Sequence, residues 1–407
     1  MARFLALDAT LGEHAALWRP RPFHGGELPW QAMHPGLHAW LLARSDAEVQ
    51  ALEDDADALC IALARHVPAI AALPALVHLP GTAGHAHPDA ASVPTGFEWG
   101  IDGRKWAQVR AFVHALAGAQ VPVGVPAAQV THVVDWCAGK AHLSRWHAHA
   151  TGVPGIALEA NAALVAAGNA LARARSVPVT CLQQDVLARD ADRHLGPHVH
   201  AVALHACGHL HLRLLRLAAG RHVPRLSLSP CCHHLCADDD TTISELGRGS
   251  ALRLAADELH LAVQETVTSG RSRQRQRERE SAWRLGFDAL QRRLRGVDAY
   301  LPVPSAPRAL LRGAFADFVR WAAARKQVAL PATLALDEFE QLGRVRHAEV
   351  SRLALLRHAF RRPLELRIVF DRARYLEEQG YAVQLRTFCA RSETPRNLLL
   401  EAWRHPD

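Results

Sequence analysis

Between Val130 and about residue 230, short apolar runs alternate with segments of helical period. THVVDW, PGIALE, PVTCLQ, VHAVALHA and PRLSLSP are separated by HLSRWHAHA, NAALVAAGNALARARS, LARDADRHLG and HLRLLRLAAG. A short apolar run bounded by turn formers predicts a strand buried on both faces, and each intervening segment is long enough for one crossover helix. The pattern therefore predicts a parallel α/β sheet. Asn161 is placed to cap the second crossover helix and Gly220 to end the fourth.

Outside this stretch the period changes. Up to about residue 78 apolar residues recur at three- and four-residue spacing on a charged background, as in AEVQALEDDADALCIALARHV, which predicts helices. LPGTAGHAHPDAASVPTG reads as a loop before a helix at GRKWAQVRAFVHAL. Past the fifth run, the arginine-rich RSRQRQRERE and amphipathic segments such as AFADFVRWAAARK predict a helical insertion. LELRIVFDRARYLEEQ is a helix stopped by Gly380, and YAVQLRTFC and NLLLEAW, turned at ARSETPR, form a terminal antiparallel hairpin. The chain divides into a mainly helical N-terminal region (1–98), an α/β core (99–240), a helical insertion with the arginine run (241–362), and a last helix and hairpin completing the sheet (363–407).

Composition narrows the class. A chain of 407 residues suggests roughly two domains. With 49% apolar and 21% charged residues and no run approaching about 20 uninterrupted apolar positions, no membrane partner is expected. The opening MARFLALDATLGEH reaches Asp8 after four apolar residues, too few for a secretory signal, so a cytoplasmic location is expected. Eight cysteines, with Cys231 and Cys232 adjacent, do not form a disulfide framework and read as reduced thiols. The net charge is +7, yet of 47 basic residues only Lys105, Lys140 and Lys326 are lysines. That arginine excess is a compositional bias, so the charge permits a nucleic-acid partner without indicating one.

In a doubly wound sheet, ligands bind beyond the carboxyl ends of the strands. Asp135 ends the first run, Cys137, Gly139 and Ala141 alternate through the turn, and His142 opens the next helix. Glu159 ends the second run, 24 residues after Asp135, where a carboxylate can accept hydrogen bonds from ribose hydroxyls; Asp185 ends the third. Only one of the three glycines of a dinucleotide fingerprint is present, which disfavours a pyrophosphate cofactor and with it a nicotinamide oxidoreductase. S-adenosylmethionine has no pyrophosphate and needs acidic acceptors on successive strand ends beside a small-residue turn. An α/β domain whose carboxylates merely cap helices fits the same pattern.

DWCAGKAHLSR, ALHACGHL and SPCCHHLC are similar to three signatures of a methyltransferase-domain family that includes the glutathione S-transferase C-terminal-domain-containing protein and bacterial relatives. The Cys-Cys-His-His-x-Cys run also resembles the tRNA ribose 2'-O-methyltransferases that act on the acceptor stem. DRARYLEEQGYAVQLRTFCARSETPRNLLLEAW is similar to the end of the bacterial relatives, so the resemblance spans roughly residues 98 to 405. It implies a class I methyltransferase (Rossmann-like) α/β fold with a terminal antiparallel hairpin. It further implies S-adenosylmethionine held by Asp135, Cys137, Gly139, Glu159 and Asp185. Ala141 stands where the family usually has glycine, and an extra methyl there could crowd the cofactor.

The ends of the fourth and fifth runs border the expected transfer site. Methyl transfer to oxygen or nitrogen calls for in-line approach and, with a weakly acidic acceptor, a base; His205 and His233 are the candidates. Cys207, Ser229, Pro230, Cys231, Cys232 and His234 are expected to shape the substrate pocket. Zinc on Cys231, Cys232, His233, His234 and Cys236, with His205 and Cys207 as neighbouring candidates, is weighed and set aside, because structural zinc takes separated ligand pairs and adjacent side chains rarely point at one ion. No metal is expected. Arg271, Arg273, Arg275, Arg277 and Arg279 are interrupted by Glu278 and Glu280 and lack interleaved aromatics, so they read as a solvated face before they read as an RNA contact. The expected activity is S-adenosylmethionine-dependent methyl transfer with RNA, tRNA included, as the leading acceptor class. A protein or small-molecule acceptor, or a binding module without catalysis, is the alternative.

Overall fold

The computed structural model describes residues 1–81, 93–125, 129–236, 241–264 and 271–406. Most of the loop expected at residues 79–96 lies outside them. The chain forms two compact units: Met1–Gly12 with Leu76–Thr268 and Arg361–Asp407, and Glu13–Ala75 with Ser269–Phe360.

The first unit is built on a seven-stranded sheet. The five apolar runs become β1 (His132–Trp136), β2 (Gly155–Glu159), β3 (Val179–Gln183), β4 (Val199–Cys207) and β5 (Arg225–Cys231); β6 (Tyr381–Thr387) and β7 (Leu398–Arg404) form the terminal hairpin. Strand order is β3-β2-β1-β4-β5-β7-β6, with β1 to β5 parallel and β7 antiparallel to both neighbours. Because successive side chains on a strand point to opposite faces, Val134 and Trp136 enter one core layer while Val133 enters the other. Burying both faces explains the continuous apolar runs.

Helices His142–Thr151, Ala162–Ala174 and His209–Gly220 fill three of the four crossovers. Asn161 caps the second, its side-chain oxygen accepting from the Ala163 and Leu164 amides. Gly220 is the last helical residue, and the left-handed turn falls instead at His222. The third crossover, between β3 and β4, departs from expectation: LARDADRHLG forms only a 3-10 helix, Arg189–His194. Its acids are consumed locally, Asp190 by Gln184 and Asp192 by Arg221, and Ala191 and Leu195 supply an apolar point rather than the stripe an α-helix buries.

In the second unit, helices Arg271–Arg295 and Asp337–His358 pack closely along glycines. A Cβ on Gly343 would meet the Ala282 carbonyl at 2.3 Å, and one on Gly286 the Phe339 carbonyl at 2.6 Å. Trp283, Phe287, Phe315 and Phe318 form the apolar centre beside this contact. Arg352 ties the second of these helices to Arg44 and Asp46. Residues 13–75 therefore group with residues 269–360, regions that sequence period alone kept apart, because an amphipathic stripe does not name the face it meets. Among the described residues, no helix is long and apolar enough to cross a membrane.

Candidate functional site

A cavity of about 390 Å³ opens beyond the carboxyl ends of β1 and β4, lined by Asp135, Cys137, Gly139, Lys105, Gln108 and His205 among others. The turn after β1 shapes its floor. Cys137, Gly139 and Ala141 have φ of 62°, 59° and 55°, so alternate residues are left-handed. The turn is pinned to β2, with the Ala138 amide donating to the Leu158 carbonyl at 2.9 Å and the Gly139 amide to Glu159 Oε2 at 3.0 Å. Left-handed backbone costs a non-glycine residue about 1–2 kcal/mol, which these hydrogen bonds and the buried strand end offset. The Ala141 methyl is fully buried, packs with Ala148, Ala157 and Ala172 in the core, and stands outside the cavity lining.

The acidic residues divide by role. Asp135 is 2% exposed and accepts from the Ser144 amide and hydroxyl at 3.3 and 2.6 Å, tying β1 to the following helix. Burial pushes its carboxyl up to about 7, against the pull of the Ser144 hydrogen bonds, with Glu159 adding to the rise. Glu159 accepts from Gly139 through one oxygen and from the Asn161 amide, at 2.9 Å, through the other; it braces the turn without lining the cavity. Asp185 is exposed beyond β3, accepts from the Leu187 amide, and also stands outside the cavity lining. Burial pushes the Cys137 thiol up to about 12, so it lines the cavity as a neutral thiol.

His205 sits at an irregularity in β4, between Leu204 and Ala206, with φ of 64°. Its Nε2 lies 2.7 Å from Gln108 Oε1. The Gln108 amide nitrogen donates to the Glu393 carbonyl at 3.3 Å, which turns the amide oxygen toward the imidazole. Nε2 therefore carries the proton and Nδ1 the lone pair, and Nδ1 is buried without a partner. Burial, with Arg396 adding to it, lowers the His205 pKa to about 4.

The remaining expected residues lie apart from the cavity lining. His233 is 1% exposed, packed edge-on to His211 with ring centroids 5.8 Å apart, and neither of its ring nitrogens has a partner. Ser229 donates to the Arg396 carbonyl, Pro230 pairs with Ala206 in the ladder, and His234 stacks on His260 at 4.1 Å. Cys207, Cys231 and Cys232 form a sulfur cluster at the ends of β4 and β5. Hydrogen bonds from Cys207 and Cys231 hold the Cys232 thiol far below its ordinary value, and the same contacts raise Cys231.

Lys105 and Gln108 were not anticipated. They stand three apart on helix Gly103–Ala117 and so share a face. Gln108, 8% exposed among Val109, Phe112 and other apolar residues, is a polar interruption of a buried stripe, and that interruption is the signal the sequence offered.

Residues 104–239 match the family model of a methyltransferase domain. No curated protein matches the chain. Among solved structures, a geranyl diphosphate methyltransferase in complex with GPP and sinefungin is similar at 16% identity and a TM-score of 0.24, over 30% of this chain and 44% of that one. Residues 104–239, which hold all five parallel strands of the class I sheet, are thus similar to a methyltransferase domain.

Proposed function

We propose that the protein is an S-adenosylmethionine-dependent RNA methyltransferase whose cofactor occupies the cavity floored by the Cys137–Ala141 turn and whose acceptor proton goes to His205 Nδ1. The observation that carries this is His205, with its buried Nδ1 unpartnered, among the residues lining a cavity that Asp135 and Gly139 also line. Gly139 supplies the fit: it lines the cavity, and a Cβ built on it meets nothing within 4 Å, so the glycine leaves open room for a ligand at the backbone. Lys105 offers an ammonium for the cofactor's carboxylate and Asp135 an acceptor at the cavity wall, while Glu159, outside the lining, holds the Gly139 amide and so the shape of the turn. Asp185, at the end of the third strand, stands for the adenine side. When bound, the cofactor supplies an electrophilic methyl on a sulfonium, whose bonding pair leaves with sulfur as the acceptor's lone pair forms the new bond. Gln108 keeps the His205 proton on Nε2, so Nδ1 remains the acceptor. RNA is favoured by Arg273, Arg275, Arg277 and Arg279, all exposed on helix Arg271–Arg295; the Arg271 side chain lies outside the described residues.

Calorimetry with S-adenosylmethionine tests the cavity. Gly139→Val, which fills that room, should abolish measurable binding while the circular dichroism spectrum holds, and undiminished binding would remove the cofactor from this turn. For the acceptor, replacing the four arginines by glutamine should weaken tRNA binding and flatten its slope against log salt by about 0.7–0.9 per lost phosphate contact. An unchanged slope would reject RNA recognition by this helix.

A further inference from the structure

We propose that Cys207, Cys231 and Cys232 form a three-thiolate site for zinc at the carboxyl ends of β4 and β5. Their three Sγ atoms lie within 4.8 Å of one another, and those of Cys207 and Cys231 are 3.6 Å apart. Thiolates on one tetrahedral zinc, each at about 2.3 Å, stand about 3.8 Å from one another, close to the spacing found here.

The backbone explains how adjacent cysteines share one point. Cys207 on β4 is in register with Cys231 on the neighbouring parallel β5, which sets two of the sulfurs side by side. Had the strand continued, Cys232 would project to the opposite face. Instead Cys232 takes φ 50° and ψ 45°, left-handed backbone that a non-glycine residue rarely adopts, and the turn carries its sulfur back to the other two. Sequence spacing argued against zinc because neighbouring side chains diverge, and at Cys232 this backbone removes the objection.

Charge and access agree. Three thiolates on a divalent cation leave one net negative charge, and the Arg396 guanidinium acts electrostatically on both Cys207 and Cys232. Cys207 and Cys232 are each partly exposed, which provides an entry path, while Cys231 is buried. Among the described residues, no histidine, carboxylate or fourth cysteine joins the three within that distance, so the fourth position is left to water or an incoming ligand. Cys60, Cys137, Cys181, Cys236 and Cys389 stand outside the group. None of this depends on the methyltransferase reading.

The test is cobalt titration of the full chain, freed of metal by chelation and kept reduced with a phosphine. One equivalent of Co²⁺ should produce the sulfur-to-cobalt charge-transfer band and the intense visible bands of a tetrahedral site, and one equivalent of Zn²⁺ should bleach them. Cys232→Ser, at the partly exposed turn, should weaken Zn²⁺ binding by about 10-fold or more. Cys232→His should restore it, and Cys60→Ser should change nothing. A reduced wild-type chain that gives no charge-transfer band at saturating Co²⁺ overturns the site, as does a Cys232→Ser chain that binds with undiminished affinity.

Discussion

At His205, three local facts combine into one chemical property. The strand irregularity gives the residue left-handed backbone, Gln108 binds one ring nitrogen, and burial leaves the other bare. A positioned base contributes about 10²–10⁴-fold to rate, most when its pKa is near the working pH, so the lowered pKa of His205 sets its contribution at the low end, about 10²-fold. His205→Ala should therefore lower the single-turnover methyl-transfer rate by that order while cofactor affinity stays within about twofold. Gln108 acts through His205: Gln108→Ala should lower kcat with KM retained, and Gln108→Glu, which still offers an acceptor to Nε2–H, should recover part of the loss. A uniform fall in both parameters, or equal loss in both Gln108 variants, would mark a packing role only. Ala141 teaches the complementary point, because its departure from glycine is absorbed in the core.

At the scale of elements, the terminal hairpin is locked to the parallel sheet by a buried charge. Glu401 on β7 is fully buried between Arg386 of β6 and Arg225 of β5, with Arg386 Nε at 2.9 Å and the Arg225 guanidinium at 3.6 Å. Burial raises the Glu401 pKa while both arginines pull it down. Removing one member of such a group strands its partners, a loss of about 3–5 kcal/mol. Glu401→Ala should lower the unfolding free energy, read from urea denaturation as midpoint times slope, by that amount, and a change under 1 kcal/mol would show that the arginines find other partners. The missing α-helix between β3 and β4 belongs to the same scale: a crossover of sufficient length still needs an apolar stripe.

At the scale of the whole molecule, several histidines are buried as neutral rings. His147 and His142 are lowered to about 4 and His200 well below its ordinary value, in each case first by burial. Arg225 faces both His147 and His200, and Arg145, Lys140 and Lys105 face His142. For these groups the unfolded chain binds protons that the folded chain refuses, so stability rises with pH between about 4 and 6.5 and is lost as pH falls through that window. Asp135 acts in the opposite sense, because its raised pKa lets the folded state take a proton first as pH falls below about 7. Each proton of net uptake on unfolding is worth about 1.4 kcal/mol per pH unit. Denaturation midpoints measured from pH 7 to 4.5 should fall with a slope above one proton, and His200→Gln should flatten it. A midpoint independent of pH would mean that these rings are protonated in the folded state.

The strands, the sharp turn at residues 137–141, the Asn161 cap and the terminal hairpin were legible in the sequence, because each is written in a local period or in a residue type with a local conformational cause. Of the residues named from their strand ends, Asp135, Cys137, Gly139 and His205 line one cavity, whereas Glu159, Asp185 and His233 stand outside its lining. What only the tertiary structure decided depends on direction and on distant partners. Gln108 reaches His205 across 97 positions, and Glu401 meets Arg225 from the far end of the chain. His233 stands outside the cavity lining, and residues 13–75 group with 269–360. The sulfurs of Cys207, Cys231 and Cys232 meet because strand register aligns two of them and one left-handed residue turns the third. A period shows which positions are buried, whereas the direction of a side chain and the identity of its partner follow from backbone dihedrals and register set by the assembled sheet.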